Sequence, residues 1–129
     1  MQIHTFLMFE GRAEEAVNLY VSQFPNSRIV DVQRHGEEGP GKPGISTLYR
    51  FELNGVEYRA LDSSAHHAFT FTPSMSLFVE CDSEAEVDRL YAALAEDGNA
   101  LMPIGNYGFS QKFGWVNDRF GVSWQINLA

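Results

Sequence analysis

The order in which strands and helices are predicted along this chain constrains its fold most, because that order occurs twice. In the first half an apolar strand at 3–9 precedes a helix, a short strand at 29–34 and two strands that flank Asn54-Gly55. An Asn-Gly pair between two apolar runs predicts a β-hairpin. In the second half a strand at 77–81 again precedes a helix, and a hairpin at 113–127 ends the chain.

The spacing of apolar residues places one helix in each half. Between Gly11 and Pro25 apolar residues recur every three or four positions, and Pro25 predicts the end of that helix. In the second half Ser83 and Glu86 form a capping box, and Gly98 stands where a C-cap is expected. Two loops are predicted, a mobile one at 36–44, where four Gly and two Pro fall in nine residues, and one at 103–108.

The two halves can be overlaid residue by residue, with the pairs Phe6 and Leu77, Tyr20 and Tyr91, Gly55 and Gly121, and Tyr58 and Trp124. This repetition predicts an α+β fold made of two βαβββ modules. Module one is expected at about 1–62, a linker at about 63–74 and module two at about 75–129, all within one domain of 1–129. A single α+β sandwich with accidental similarity between its halves is the alternative.

Charge and composition exclude several classes of function. Nine basic against seventeen acidic residues give a net charge of −8, which disfavours binding to nucleic acid or to an anionic membrane surface. The chain has no apolar stretch of about 18 residues, which a membrane span requires, and no signal-peptide pattern at its N-terminus. Cys81 is the only cysteine and is expected to be a buried thiol. The cytoplasm is therefore the expected compartment.

Two segments resemble a known family: "FLMFEGRAEEAVNLYVSQFPNSRI" near the N-terminus and "FGWVNDRFGVSWQINL" at the C-terminus. They resemble the PhnB-like branch of the vicinal-oxygen-chelate superfamily, which also contains glyoxalase I, extradiol dioxygenases, fosfomycin-resistance proteins and bleomycin-binding proteins. The resemblance implies that the sheets of the two modules form a half-barrel with the helices outside. Members of the branch often carry the label 3-demethylubiquinone-9 3-methyltransferase.

The residues do not support methyl transfer. S-adenosylmethionine sites in the common fold use a glycine-rich turn between a parallel strand and a helix. The comparable turn here, Glu10-Gly11-Arg12, has one glycine. No catalytic residue is assigned, and whether the chain is an enzyme is left open.

The resemblance also implies four metal-ligand positions, which correspond in this chain to Thr5, Arg59, Ser76 and Gln125. None of these is an imidazole, carboxylate or thiolate, the ligands that a divalent metal prefers, and the charge of Arg59 would repel a cation. No metal and no other cofactor is therefore expected. His4 is one residue from Thr5, so a register shifted by one would make His4 and Gln125 two candidate ligands.

A polar inner face is predicted for the last strand, because Ser123, Gln125 and Asn127 alternate with apolar residues. With the resemblance, this face predicts a small-molecule cavity lined by Thr5, Arg59, Ser76, Gln125, Phe109 and Trp115. Arg59 could hold a carboxylate or phosphate with two parallel hydrogen bonds. The alternative for Arg59 is an ion pair with Glu57 or Glu52, and the alternative for the aromatic residues is core packing.

Three functions follow as hypotheses. The first is metal-free binding of a small molecule in the half-barrel. The second is an enzyme whose metal is recruited by His4, Gln125 and a further residue, and the third is a structural dimer module without a ligand. His66 and His67 are expected to be surface residues, because neighbouring side chains on a regular backbone point apart. A homodimer is expected, since the strands at 3–9 and 77–81 contain neither Lys nor Pro and suit mutual burial.

Overall fold

The computed structural model describes residues 1–35 and 46–129, so the loop predicted at 36–44 lies outside the described residues. The chain divides into two compact units, Met1–Ala68 and Phe69–Ala129. Each unit contains one βαβββ module, as the repeated element order predicted. That both modules belong to one domain stays a prediction.

Module one contains β1 (Thr5–Phe9), α1 (Ala13–Gln23), β2 (Arg28–His35), β3 (Ser46–Leu53) and β4 (Val56–Asp62). Its strands form an open sheet in the order β1-β4-β3-β2, in which β1 is parallel to β4 and the other neighbours are antiparallel. The predicted hairpin is confirmed: Asn54 and Gly55 join β3 to β4 with φ values of 49° and 82°, the left-handed conformation that this turn requires.

One face of this sheet packs against α1. The helix buries Ala13, Ala16, Val17 and Tyr20, and the sheet residues buried on that face are Leu7, Phe9, Tyr49, Phe51, Leu53 and Ala60. They alternate with less buried residues along β3, because successive side chains of a strand point to opposite faces. The alternation therefore separates a core face from a second face, turned away from the helix.

Module two contains β5 (Leu77–Glu80), α2 (Glu84–Ala95), β6 (Asn99–Gly105), β7 (Lys112–Asn117) and β8 (Ser123–Leu128). Its sheet order, β5-β8-β7-β6, and its strand directions repeat those of module one. Val87, Leu90 and Leu94 of α2 are buried, together with Val116, Trp124 and Ile126 of the sheet.

The two ends of α2 differ in how well the sequence predicted them. The N-cap is confirmed, because Ser83 Oγ accepts from the Glu86 N–H at 3.2 Å, but Glu86 Oε1 accepts at 3.2 Å from the N–H of Asp82, one residue before the position that a capping box predicts. The C-cap prediction was wrong: the left-handed residue is Asp97, with a φ of 58°. Gly98 has another role, since a Cβ there would collide with the Asn117 carbonyl oxygen and lie 2.9 Å from the Asp118 carbonyl carbon.

The loop predicted at 103–108 was wrong for residues 103–105, which belong to β6. This strand escapes pattern analysis because its pairing with β7 is interrupted twice, between Ala100 and Met102 and between Met102 and Gly105. It also contains Pro103, which strands accept at edges and bulges, and β6 is an edge strand.

The turn between β7 and β8 is built around a buried carboxylate. Asp118 is 3% exposed, and its carboxylate accepts hydrogen bonds from the N–H groups of Phe120 at 2.9 Å and Val122 at 3.0 Å and from Trp124 Nε1 at 2.9 Å. Three donors satisfy the buried charge. The carboxylate thereby ties the turn to the largest side chain of the module core.

Cys81, at the end of β5, is buried as predicted. Burial, with a smaller contribution from Glu86 and Asp82, raises the pKa of its thiol to about 11. Among the described residues no helix is both long and apolar enough to cross a membrane.

Candidate ligand-binding faces

Each sheet has a far face, defined here as the face turned away from the helix of its own module. In module one strand register places Phe6, Arg50 and Arg59 side by side, since Arg59 pairs with Phe6 of β1 and with Arg50 of β3. Paired residues share a face of the sheet. Glu57 lies two residues from Arg59 on β4 and therefore belongs to the same face.

Glu57 is the centre of an ionic cluster on this far face. Its Oε1 accepts from Arg50 Nη2 at 3.0 Å, and its Oε2 accepts from Arg59 Nε at 3.1 Å and from Arg59 Nη2 at 3.0 Å. His4 Nε2 lies 3.4 Å from the same Oε2 atom. Of the two partners predicted for Arg59, the structure thus selects Glu57, while Glu52 pairs with Arg28 at 3.1 Å.

The cluster is partly open to solvent. The side chain of Glu57 is 18% exposed, whereas those of Arg50 and Arg59 are 38% and 37% exposed. Hydrogen bonds from Arg50 and then Arg59 lower the pKa of Glu57 below its ordinary value, against the opposing effect of burial. Glu57 is therefore ionised at neutral pH, and two guanidinium groups share one carboxylate.

The structure does not place Thr5 on this face. Thr5 pairs with Tyr58 and so shares the face of Tyr58, opposite to Arg59, whereas His4 contacts Glu57 on the far face. The register assigned to the first strand was therefore off by one residue. Single-residue slips are hard to detect in a short apolar strand, because its sequence does not alternate clearly.

Module two has a neutral cluster on its far face. Ser123 Oγ accepts from Trp115 Nε1 at 2.8 Å and lies 2.7 Å from Ser76 Oγ. Gln125 Nε2 donates to the same Ser76 Oγ at 3.2 Å. The structure thus brings together three residues predicted from the sequence, Ser76, Trp115 and Gln125, and adds Ser123.

Aromatic rings continue this far face beside the neutral cluster. Phe113 is buried, and the rings of Phe109, Tyr107 and Phe78 surround it at centroid distances of 5.0, 6.2 and 6.5 Å. The three surrounding rings are exposed, Phe109 by 64%, Phe78 by 52% and Tyr107 by 41%. Phe109, predicted to line a cavity, is thus part of an exposed aromatic group. That one cavity contains both Arg59 and Gln125 stays a prediction.

Strand register makes the two clusters equivalent position by position. Arg59 pairs with Phe6 and Arg50, and Gln125 pairs with Phe78 and Trp115. The equivalent pairs are therefore Arg59 and Gln125, Glu57 and Ser123, Arg50 and Trp115, Phe6 and Phe78, and His4 and Ser76. The equivalence predicted between Phe6 and Leu77 is wrong by one residue.

The sequence patterns did not point to Arg50, and they placed Ser123 on the polar inner face of the last strand without assigning it to the lining of the cavity. The signal for Arg50 was present in the hairpin, because a two-residue turn at Asn54-Gly55 sets Leu53 opposite Val56 and hence Arg50 opposite Arg59. The signal for Ser123 was weaker, since its partners Ser76 and Trp115 come from two other parts of the chain.

The side chains on the two far faces do not fit a divalent metal. In module one the implied ligand position carries Arg59, whose guanidinium donates to Glu57, and a guanidinium has no lone pair to offer. In module two Gln125 and Ser76 bind each other. Within residues 1–35 and 46–129 no three His, Cys, Asp or Glu side chains are grouped to hold an ion. The absence of a metal from the protein itself stays a prediction.

Comparison with solved structures identifies the fold. A glyoxalase/bleomycin resistance protein/dioxygenase domain from Frankia has a TM-score of 0.65 at 12% identity, over 100% of this chain and 97% of that chain. The fosfomycin resistance protein FosX from Listeria monocytogenes has a TM-score of 0.60 at 11% identity, over 98% and 90% of the two chains. The fold is therefore α+β and glyoxalase-like with two modules, which confirms the prediction from the sequence.

Closer relatives identify the family. A PhnB protein from Bacillus cereus is 55% identical with a TM-score of 0.91, covering 100% of both chains. A Pseudomonas aeruginosa protein is 28% identical with a TM-score of 0.75, covering 99% of this chain and 97% of that one. The family model described as 3-demethylubiquinone-9 3-methyltransferase matches residues 1–127, so the chain belongs to this family, as its two sequence segments predicted. No protein of curated function matches it.

Proposed function

We propose that this chain binds a small anionic molecule without a metal and that Arg50 and Arg59 on the far face of module one hold the anionic group. The observation that supports this most is the pair of guanidinium groups around the single carboxylate of Glu57. Carboxylate, phosphate and phosphonate groups suit such a pair, because a guanidinium offers parallel N–H donors to two oxygens.

The arginines retain donors for a ligand after binding Glu57. Each guanidinium has five N–H groups, of which Arg59 directs two, and Arg50 one, at the Glu57 carboxylate. Both side chains are more than a third exposed, so an anion can approach them. Glu57 neutralises one of the two positive charges, and the remaining charge attracts an anion even though the whole chain is acidic.

Relatives and backbone geometry favour binding over methyl transfer. The FosX structure is a complex with Mn(II) and 1S,2S-dihydroxypropylphosphonic acid, so this fold can hold a phosphonate. The turn after β1 has one glycine, Gly11, and that glycine N–H donates to Asp62, so it does not form the glycine-rich turn that holds S-adenosylmethionine in the common fold.

We also propose that the protein is a cytoplasmic homodimer. The topology supports the dimer, because β1 and β5 each lie at one edge of the sheet of their module. Exposed apolar edge strands are prone to pair or to be covered. Light scattering at micromolar concentration should give twice the mass of one chain, and a monomer would contradict the proposal. The lone cysteine supports the cytoplasmic assignment.

Anion binding can be tested by calorimetric titration of inorganic phosphate into wild type, Arg59→Ala and Arg28→Ala. Arg28 is the matched control, because it forms one exposed ion pair with Glu52 at the same distance as the Arg59 contact, 3.1 Å. We expect Arg59→Ala to weaken phosphate binding at least tenfold, the effect of losing a charge-assisted hydrogen bond. Arg28→Ala should bind like wild type. Equal losses of affinity in both variants would mean that phosphate binding depends only on the total charge of the protein, and the proposed site would be wrong.

A further inference from the structure

The neutral cluster of module two contains one hydrogen bond, between two serine hydroxyls, whose donor can be inferred from the neighbouring groups. Trp115 Nε1 can only donate, so Ser123 Oγ accepts from it. The Gln125 amide nitrogen can only donate, so Ser76 Oγ accepts from it. What remains is the direction of the bond between the two serine hydroxyls, which lie 2.7 Å apart.

Burial decides that direction. Ser123 is 2% exposed, and within the described residues its hydroxyl has no partner besides Trp115 and Ser76. The buried Oδ1 atom of Asn117, the cross-strand neighbour of Ser123, has no hydrogen-bond partner among those same residues, so it does not accept the Ser123 proton. If Ser76 donated to Ser123, the Ser123 proton would be buried without an acceptor, which is unfavourable. Ser123 therefore donates to Ser76.

Ser76 then accepts two hydrogen bonds and has its own proton left to donate. Its side chain is half-buried rather than fully buried, so this proton can reach a bound molecule or water. Donation from Trp115 through Ser123 polarises the Ser76 hydroxyl and strengthens it as a donor. The chain of hydrogen bonds therefore ends at the O–H group of Ser76, which is available to donate.

An exposed aromatic surface adjoins this donor. Phe78 follows Ser76 by two residues and pairs with Gln125, which places its ring on the same far face. Phe78, Tyr107 and Phe109 expose roughly half of their surfaces around the buried Phe113. Exposed aromatic rings provide flat apolar contacts for another ring.

We infer that module two binds an aromatic ring that carries an acceptor oxygen, with the ring against Phe78 and Phe109 and the oxygen accepting from Ser76. The class of ligand is therefore an aryl carbonyl or a related aryl oxygen compound. This inference goes beyond the anion site of module one and does not use its arginines. An uncharged probe consequently tests it separately from the proposed function.

Acetophenone and ethylbenzene form a matched pair of probes, because they differ mainly in the carbonyl oxygen. Their binding can be followed by NMR through the indole N–H signal of Trp115, at the start of the hydrogen-bond chain. Wild type should bind acetophenone about three to ten times more tightly than ethylbenzene, the contribution of one hydrogen bond, with a shift of the Trp115 signal. Equal affinities would show that Ser76 donates only to water and would overturn the inference, as would no binding of either probe.

Variants locate the contact. Ser76→Ala should bind acetophenone as weakly as ethylbenzene, whereas the exposed control Ser74→Ala, whose hydroxyl contacts Thr72 at 2.7 Å, should behave like wild type. Phe78→Ala should weaken both probes alike, because it removes the ring contact and keeps the donor. Unchanged acetophenone binding in Ser76→Ala would overturn the inference, and the comparison of probes in wild type decides the matter if that variant does not fold.

Discussion

The two modules share one strand topology and one far-face geometry, yet equivalent positions carry charged side chains in module one and uncharged side chains in module two. In module one the central acceptor is the carboxylate of Glu57, bound by two arginines. In module two the equivalent position carries the hydroxyl of Ser123, which accepts from the Trp115 indole and lies 2.7 Å from the Ser76 hydroxyl. The β-sheet register decides which side chains meet, and the residue types decide what they can bind.

The two clusters also differ in their exposure to solvent, and the charged side chains are the more exposed, as electrostatics predicts. The Arg50 and Arg59 side chains are more than a third exposed, whereas Ser123 is 2% exposed. Charged groups lose favourable hydration when buried, but a hydroxyl with satisfied hydrogen bonds can be buried at little cost. The charged face is therefore suited to anions from solvent, and the neutral face to apolar rings with one polar anchor.

The largest expected difference between the modules lies in their hairpin turns. Asp118→Ala leaves the N–H groups of Phe120 and Val122 and the Trp124 indole without their acceptor, which should lower the free energy of unfolding by about 3 kcal/mol or more. Asn54→Ala, in the turn of module one, should cost only about 1 kcal/mol for its positive φ. Urea denaturation measures both values, and equal losses would contradict the special role of Asp118.

Cys81 reports on module two alone, because it is the only cysteine. With the thiol pKa raised to about 11 from 9.0, its thiolate fraction at pH 8 is about a hundredfold below that of an ordinary thiol. Alkylation by iodoacetamide should therefore be at least about a hundredfold slower in the folded protein than in urea. The same shift predicts that stability falls as pH rises from about 9 through 11, since the unfolded thiol loses its proton first. Rapid alkylation of folded protein at pH 8 would contradict this assignment.

Low pH should reduce the stability that the charged cluster contributes and leave the contribution of the neutral cluster unchanged. The pKa of Glu57 is lower in the folded chain than its ordinary value of 4.5, so its contribution to stability is present above pH 4.5 and is lost as pH falls through the lowered value. The difference in stability between wild type and Glu57→Gln should shrink as pH falls below 4.5. The difference for Ser123→Ala should stay constant, because a serine does not titrate there. Parallel pH profiles for the two variants would show that Glu57 has no special ionisation.

The repeated element order was sufficient to predict the two modules, because helical spacing, the Asn54-Gly55 turn and the capping box of Ser83 are local signals. Three local predictions were wrong where the cause is tertiary. Gly98 is required by the approach of the Asn117 backbone, β6 is interrupted by irregular pairing with β7, and the register of β1 is set by its parallel neighbour β4.

For the site, residue types were easier to predict than partners. Arg59, Gln125, Ser76 and Trp115 were selected from alternation and family resemblance, and each lies on a far face. The resemblance assigned Thr5 where the structure has His4, because a five-residue strand with little alternation does not fix its own register. Arg50 was missed, since its contact with Glu57 is visible only when the hairpin register is followed across both strands.

We propose above all that guanidinium groups, and no metal, hold the anion. This proposal is tested most directly by calorimetric titration of inorganic phosphate into the protein before and after treatment with a chelator, with elemental analysis of the same samples. We predict one dissociation constant in both titrations and less than a tenth of a divalent ion per chain. Loss of phosphate binding on chelation, restored by added Mn²⁺ or Zn²⁺, would contradict the account.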